Sequence, residues 1–394
     1  MKLPAEVIVV GAGPAGSMAA YTLARRGVRV ALVDAAVFPR EKVCGGGIQD
    51  KATRFLPAGW EQVVRGRLTG ASFSYRLGER FTRHGSEPLV HCVMRREFDH
   101  FLVEAARAAG ADLHLGVKIR AVNEHGRGVE VRGGDWSGEA RFVIGADGAN
   151  SVLRTRVASR SDYFWQAGLS CEVSAEHSAL KDDAHSCLSV DWGTLPNGYG
   201  WMFPKRDTVN VGVGCPAAWA RQLRPYLARF FAPAARGDLV FRGHQLPTAR
   251  KRARFSRGRV ALVGDAAGLV EPFTGDGITN AVHSARIAAD VVSAGLEHDA
   301  LDHGEYARQL GLEILEELEF AGKLQRLFVA FPHVAHRYLG QDERVWRAFC
   351  GVIRGRFTFR DLRRKSTRSH EWLWAPLDAY AAMRHSISCR WPNW

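Results

Sequence analysis

The chain has 394 residues, 46% of them hydrophobic and 24% charged, and a formal net charge of +13. These proportions exclude a disordered or fibrous chain, and the length exceeds one ordinary core and predicts two closely packed domains. No run of 18 or more apolar residues is present, which excludes a hydrophobic membrane-spanning helix.

Much of the charge is local. Residues 323–394 hold 14 Lys and Arg against 5 Asp and Glu, a net +9. This basic end fits either a solvated face or attraction to an anionic membrane surface, at roughly 1 kcal/mol per nearby basic residue. No helix-turn-helix, zinc-finger or RNP-type pattern accompanies it, so no nucleic-acid partner is expected. The seven cysteines, an odd number without a C-x-x-C pair, suit a reducing compartment. The first apolar stretch is too short for a signal-peptide core, so a cytoplasmic protein is expected, with peripheral membrane contact left open.

The first predicted unit is VIVVGAGPAGSMAAYTLARRGVRVALVD, from Val7 to Asp34. A buried strand, Val7–Val10, runs into Gly11, Gly13 and Gly16 at G-x-G-x-x-G spacing. A helix follows from about Pro14, through Ala15, to Arg26. A second strand, Val28–Val33, ends in Asp34. Gly11 serves the tight turn, Gly13 lets backbone approach a pyrophosphate, and Gly16 lets helix pack on strand. The helix start faces phosphate with unpaired N–H groups. Asp34 is placed to accept ribose hydroxyls. This unit alone does not choose between NAD and FAD.

KVCGGG follows at 42–47. Three glycines bring backbone close to something flat, and Cys44 sits beside them. Arg95 then opens an amphipathic helix that runs to Gly110, followed by a strand at about Lys118–Val122. FVIGADGANSVLR, 142–154, is a strand ending in Asp147–Gly148, with a helix expected from Ser151. From Asp162 to Val213 the pattern alternates like an antiparallel sheet; Tyr199, Trp201 and Phe203 share one strand face there. GRVALVGDAAGLVEPFTGDGITNAV begins at Gly258: a strand ends in Gly264–Asp265, and a loop with Gly275 and Gly277 feeds a helix from Ile278. From about Glu305 the chain reads as helical. Trp372, Trp374, Trp391 and Trp394 near the end fit either an interfacial belt or a cap on the core. His333 and His336 lack an obvious third ligand, so no metal is expected.

The later two motifs favour FAD, whose ribityl chain and ring edge must be fixed in an extended pose. Asp265 suits a ribityl hydroxyl, and the helix start at Gly277–Ile278 suits the edge where reduced flavin carries negative charge. The motif order resembles the flavoprotein group that includes p-hydroxybenzoate hydroxylase, over roughly residues 5–300. That resemblance implies an α/β fold: a Rossmann-like FAD-binding domain interleaved with an antiparallel β-sheet substrate domain, plus a helical, basic C-terminal region. The expected FAD-binding segments are 1–75, 93–160 and 259–300, and the substrate segments 76–92 and 161–258, with 301–394 last. The chain carries Gly268 where hydroxylases of this group usually have histidine. KVCGGGIQDKA, NGYGWMFPKRDTVNVGVG and GLVEPFTGDGITNAV instead resemble the geranylgeranyl reductase family.

The resemblance implies non-covalent FAD held by Gly11, Gly13, Pro14, Ala15, Gly16, Asp34, Ala35, Cys44, Gly45, Gly46, Arg95, Ile119, Asp147, Gly148, Gly264, Asp265, Gly275, Gly277 and Ile278. It implies reduction of carbon–carbon double bonds in a small-molecule prenyl-type or other long apolar substrate, lined by Tyr199, Trp201 and Phe203. Cys44 is the candidate catalytic residue, as proton donor or as packing. The electron donor is expected to be NAD(P)H or a ferredoxin; no second glycine-loop unit is present. Oligomeric state is not legible. Two other functions remain open: an FAD monooxygenase or halogenase acting on an aromatic ring, with Lys42 or Lys51 as the lysine a halogenase needs, and a non-enzymatic electron-transfer flavoprotein.

Overall fold

The computed structural model describes residues 5–126, 128–177, 186–232 and 239–362. Val7–Val10 is four β-branched residues in a row, and all are buried. Such a run suits the middle of a parallel sheet covered on both faces. It lies between Phe142–Gly145 and Val30–Asp34, both parallel to it. The full order is Ser256–Arg257, Val260–Leu262, Phe142–Gly145, Val7–Val10, Val30–Asp34, Asp112–Leu115. The helix Pro14–Ala24 packs against Arg95–Ala108 and Ile278–His298 over this sheet. Because the chain leaves the central strand to both sides, a crevice opens at the carboxyl ends of the strands, where ligands bind in such sheets.

A seven-stranded sheet forms the second body. Its order is Arg242–Ala249, Tyr163–Ser174, Thr208–Pro216, Tyr199–Pro204, Cys187–Trp192, Gly70–Tyr75, Arg80–Arg83. All pairings are antiparallel except Gly70–Tyr75 with Cys187–Trp192, which is parallel. Gly70–Tyr75 therefore belongs to the seven-stranded sheet, a correction to the expected first FAD-binding segment, which extends to residue 75. A small sheet, Gly47–Gln49 with Val90–Val93 and Val64–Leu68, joins the two bodies.

Each face of the seven-stranded sheet has its own cover. Met202, Val209, Val211 and Val213 pack with Leu223, Tyr226 and Leu227 of the helix Leu223–Phe230. On the other face Phe73 and Leu188, with Val90 of the small sheet, pack with Leu339, Trp346, Cys350 and Ile353. Those last residues belong to the helices Pro332–Gln341 and Glu343–Ile353, which follow Glu316–Ala330. The helical region thus roofs the sheet. The tryptophans at 372, 374, 391 and 394 lie outside the described residues.

Two local expectations differ. The helix expected from Ser151 is a single turn, Arg154–Val157; the Ser151 hydroxyl accepts the Arg154 N–H at 2.8 Å. The strand expected at 118–122 is Ala121–His125, and residues 117–119 form the approach to it. Among the described residues no helix is long and apolar enough to cross a membrane.

Candidate functional site

A cavity of about 1110 Å³ runs from the crevice of the six-stranded sheet to the roofed face of the seven-stranded sheet. Ligand pockets commonly span ~300–1,000 Å³, so this one has room for a cofactor and a second molecule.

At one end it is lined by Gly11, Gly13, Pro14, Ala15, Asp34, Ala35 and Ile119. The three glycines separate by role. A side chain on Gly11 would meet the Ala146 carbonyl oxygen at 2.3 Å, and its φ is +102°. One on Gly16 would meet the Gly11 carbonyl oxygen at 1.7 Å. Both are required by the fold itself. Gly16 is absent from the cavity lining, a correction to its expected contact with the cofactor; it packs helix on strand. Gly13 differs. Its φ is −70°, and a methyl group added there would have Arg40 Nη2 as its nearest atom, at 3.7 Å. No protein group needs a glycine there, so the open cradle fits a ligand that does. Asp34 is held on both oxygens: Oδ2 accepts the Ala12 N–H at 2.6 Å and Oδ1 the Ala36 N–H at 2.7 Å. Its remaining lone pairs are what an adenosine ribose could use.

In the middle, Asp147, Gly148 and Asp265 line the cavity. Arg154 ties their turns together: it donates to the carbonyls of Ala149 at 2.8 Å, Ala266 at 2.8 Å and Asp265 at 2.6 Å. Gly264 does not line the cavity, contrary to expectation. Its N–H goes to Ser284 Oγ at 3.0 Å, and its φ of +55° makes the turn that aims Asp265. Burial raises the Asp265 carboxyl pKa, but His244, Lys42 and Arg95 together more than offset this and the net direction is down. Lys42 Nζ lies 2.7 Å from His244 Nε2, which is 3.9 Å from Asp265 Oδ2. Burial, and then Arg95, lower Lys42 to about 8. Sequence reasoning reaches Lys42 only as a halogenase lysine, and misses His244. Lys51, the other such lysine, is away from the lining and lies 3.7 Å from Asp276.

The loop Cys44–Gly47 crosses where the two bodies meet. Cys44 lines the cavity; its sulfur accepts the Gly46 N–H at 3.4 Å. Arg95 is buried and forms a two-pronged pair with Asp99, at 2.7 and 2.8 Å. Burial lowers the Arg95 pKa, but Asp99 and then Cys44 more than offset it, so the net direction is up. Arg95 lines the cavity beside Cys44 with its charge already paired.

Beyond the loop stand Tyr199, Trp201 and Phe203, all on the cavity face of their strand, while Met202 faces the opposite core. Trp201 Nε1 donates to Asn210 Oδ1 at 2.8 Å, Asn210 Nδ2 donates to Glu172 at 2.8 Å, and Lys205 donates to Glu172 at 2.6 Å. Tyr199 donates to the Thr274 carbonyl at 3.4 Å, and a side chain on Gly275 would collide with its hydroxyl. Gly275, Gly277 and Ile278 line the cavity, and the 21-residue helix from Ile278 starts there with Gly277 at its N-cap, Asp276 Oδ1 accepting the Thr279 N–H at 3.1 Å. Past the aromatic wall the lining is mostly apolar, with Phe73, Leu89, Leu188, Phe328, Leu339 and Ile353, and Gln325 and Arg76 among its polar members. Among the described residues no group of three or more His, Cys, Asp or Glu could hold a metal. His336 instead accepts the Trp192 Nε1–H at 3.3 Å, and His333 stacks edge-on with Tyr75 at 4.8 Å.

A glycine cradle at a strand–helix turn, a second strand-end acid and a glycine-led helix start along one crevice fit a flavin-dependent oxidoreductase. Residues 4–183 match the family model described as an FAD binding domain. A geranylgeranyl diphosphate reductase of Rhodobacter capsulatus is 31% identical over 74% of this chain and 76% of its own. A menaquinone reductase of Mycolicibacterium smegmatis is 33% identical over 75% and 78%. A geranylgeranyl bacteriochlorophyll reductase-like structure from Thermoplasma acidophilum superposes with a TM-score of 0.72 at 23% identity, covering 82% of this chain and 87% of that one. The chain belongs to the geranylgeranyl reductase family of FAD-dependent oxidoreductases.

Proposed function

We propose that this enzyme reduces carbon–carbon double bonds in a prenyl-type or other long apolar substrate. One observation carries the reading: the cofactor crevice and an apolar, aromatic-walled chamber are a single cavity, joined at the Cys44–Gly47 loop. A hydroxylase or halogenase acting on one aromatic ring has no use for a chamber that continues past Tyr199, Trp201 and Phe203 to Leu339 and Ile353. The named activities of the Rhodobacter and Mycolicibacterium relatives, on a geranylgeranyl chain and a menaquinone, support the same substrate class.

Bound and reduced, FAD supplies the hydride. The chain's own residues do the rest. Gly13, Gly148 and the helix start at Ile278 would hold the cofactor, and Asp265 would accept a hydroxyl hydrogen bond from it. Trp201, fixed by Asn210, presents its π face to the alkene, where an aromatic surface stabilises cationic character. Net reduction of an alkene adds a hydride to one carbon and a proton to the other. Cys44 Sγ, at this junction, would give the proton, with the Asp99-paired Arg95 guanidinium nearby. NAD(P)H or a ferredoxin would reduce the cofactor.

The test is anaerobic. The FAD-loaded protein, reduced with dithionite, is mixed with geranylgeranyl diphosphate or a menaquinone, and products are weighed by mass spectrometry. Gain of two hydrogens per double bond reduced, without oxygen, is expected. Product formation only with stoichiometric oxygen uptake would overturn the reading in favour of a monooxygenase; flavin cycling without any product would leave an electron carrier.

A further inference from the structure

We propose that the corner between the helices Glu316–Ala330 and Pro332–Gln341 docks on an anionic lipid bilayer, and that the chamber is loaded through it. The loading half rests on the function proposed above; the docking half does not.

Large exposed apolar side chains are few among the described residues, and four fall within ten positions. They are Val329 at 50% exposure, Phe331 at 43%, Val334 at 54% and Tyr338 at 56%. Val334 and Tyr338 are one helical turn apart and share a face. The opposite side of the same helix is also committed: His336 and Leu339 are buried, and Leu339 packs on the seven-stranded sheet. A surface helix in water normally turns one apolar stripe inward and a polar face outward. This one turns apolar groups both ways, and a cluster of that kind marks an interaction surface.

The occupant follows from what lies behind the patch. Val329 and Pro332 line the cavity, and Val329 is also half exposed, so the chamber reaches the surface at this corner. Arg76 lines the same mouth and is exposed, carried on the hairpin whose Tyr75 stacks on His333 at 4.8 Å. Arg326 and Arg337 are exposed on the two helices that form the corner. Arg337 bonds Gln341 at 3.1 Å; among the described residues none of these three arginines has a carboxylate within 4.0 Å. The acids nearby are Glu79, beside His336, and Asp342 and Glu343, about one turn past Tyr338, which pair with Arg344 and Arg83. Apolar groups ringed by cations around the mouth of an apolar chamber fit the headgroup–acyl boundary of an anionic leaflet. A molecule that cannot diffuse through water can pass from there into the chamber without becoming exposed. A protein partner would cover the patch but also close the mouth.

The experiment uses the full FAD-loaded chain and sedimentation with vesicles of phosphatidylcholine alone or with phosphatidylglycerol at about a third of the lipid, enough to give a negative surface. Wild type is expected to bind the anionic vesicles. V334S/Y338S, whose residues lie outside the cavity lining, should keep the wild-type Tm and lose at least tenfold in partitioning. R326Q/R337Q should lose affinity for anionic vesicles only, and more at low salt than at high. Turnover of a detergent-dispersed prenyl substrate should be unchanged in V334S/Y338S, while turnover of the same substrate in vesicles falls with binding. Unchanged vesicle binding in V334S/Y338S, or none in wild type, would overturn the proposal. So would a change in oligomeric state on a sizing column with vesicle binding intact, which would make the corner a contact between copies. Absent turnover of both substrate forms with vesicle binding still lost in the variant would sink the substrate reading and leave the docking surface standing.

Discussion

Gly13→Ala separates what the fold needs from what a ligand needs. The backbone at Gly13 has φ −70° and ψ −176°, which alanine adopts without strain. The added methyl would lie 3.7 Å from Arg40 Nη2, an ordinary contact. The cofactor-free variant should therefore keep its Tm, or gain slightly, because alanine has less unfolded-state freedom to lose. With cofactor the result should reverse. If a pyrophosphate lies against that backbone, the methyl removes close N–H contact worth about 1–3 kcal/mol, and about 1.4 kcal/mol is tenfold in Kd. FAD affinity should fall about 10- to 100-fold, read from quenching of flavin fluorescence. Gly11→Ala is the contrast. Its methyl would meet a carbonyl oxygen at 2.3 Å at a positive φ, so it should lower the Tm of the cofactor-free protein. Unchanged FAD affinity in Gly13→Ala, with the fold intact, would refute the placement of the pyrophosphate.

Three further outcomes follow from the same geometry. Cys44→Ser should leave FAD bound and reducible but slow reoxidation by a prenyl substrate about 10²–10⁴-fold in stopped flow; equal rates in Cys44→Ser and Cys44→Ala to wild type would assign the thiol to packing. Lys205→Met leaves Glu172 without its cation, and because Glu172 is about a third exposed the loss should be about 1–3 kcal/mol rather than the full cost of a buried broken pair, seen as a lower Tm and a changed Trp201 environment. Lys42 titrates near 8 in the folded protein against an ordinary 10.5, so between those values the unfolded chain holds more protons at this site and its contribution to stability rises with pH; cofactor-free Lys42→Met should be more stable than wild type at about pH 7, by on the order of 1–3 kcal/mol, and the gap should close toward pH 10.5 in urea titrations.

The parts of the site written in local spacing were legible. Gly11, Gly13 and Asp34 are fixed by one strand–turn–helix–strand unit, and Tyr199, Trp201 and Phe203 by simple alternation. The parts made by distant chain were not. Lys42 and His244 meet across 202 positions, and nothing in the sequence around His244 distinguishes an edge-strand histidine that faces a cavity from one that faces water. The strand Gly70–Tyr75 alternates just as it would in either sheet; only its parallel partner, Cys187–Trp192, assigns it to the second. Gly16 and Gly264 show the opposite limit. Their spacing marks the motif, yet spacing does not tell a glycine that touches a ligand from one that lets two pieces of backbone pack.

The loop KVCGGG turns on that distinction. The sequence invites the reading that its glycines make room for a flat ligand; all three line the cavity, and the direction a side chain would take from each is filled by protein. A side chain on Gly45 would meet the Phe203 ring at 2.7 Å and Trp201 Nε1 at 3.2 Å. On Gly46, at φ +71°, it would meet the Val93 carbonyl oxygen at 2.3 Å, and on Gly47 the Val90 side chain at 3.1 Å and Phe203 at 3.4 Å. The glycines are what let the loop wedge between the aromatic wall and the joining sheet. Any side chain at these three positions would have to displace a ring or a strand. Two ionisable side chains of the loop line the cavity: Lys42, beside His244, and Cys44, with the Gly46 N–H on its sulfur and the Arg95 guanidinium near it. Cys44 packs against the core of the six-stranded sheet while Gly45 and Gly47 abut Phe203, so the loop sets the thiol at the seam between the cofactor crevice and the aromatic wall.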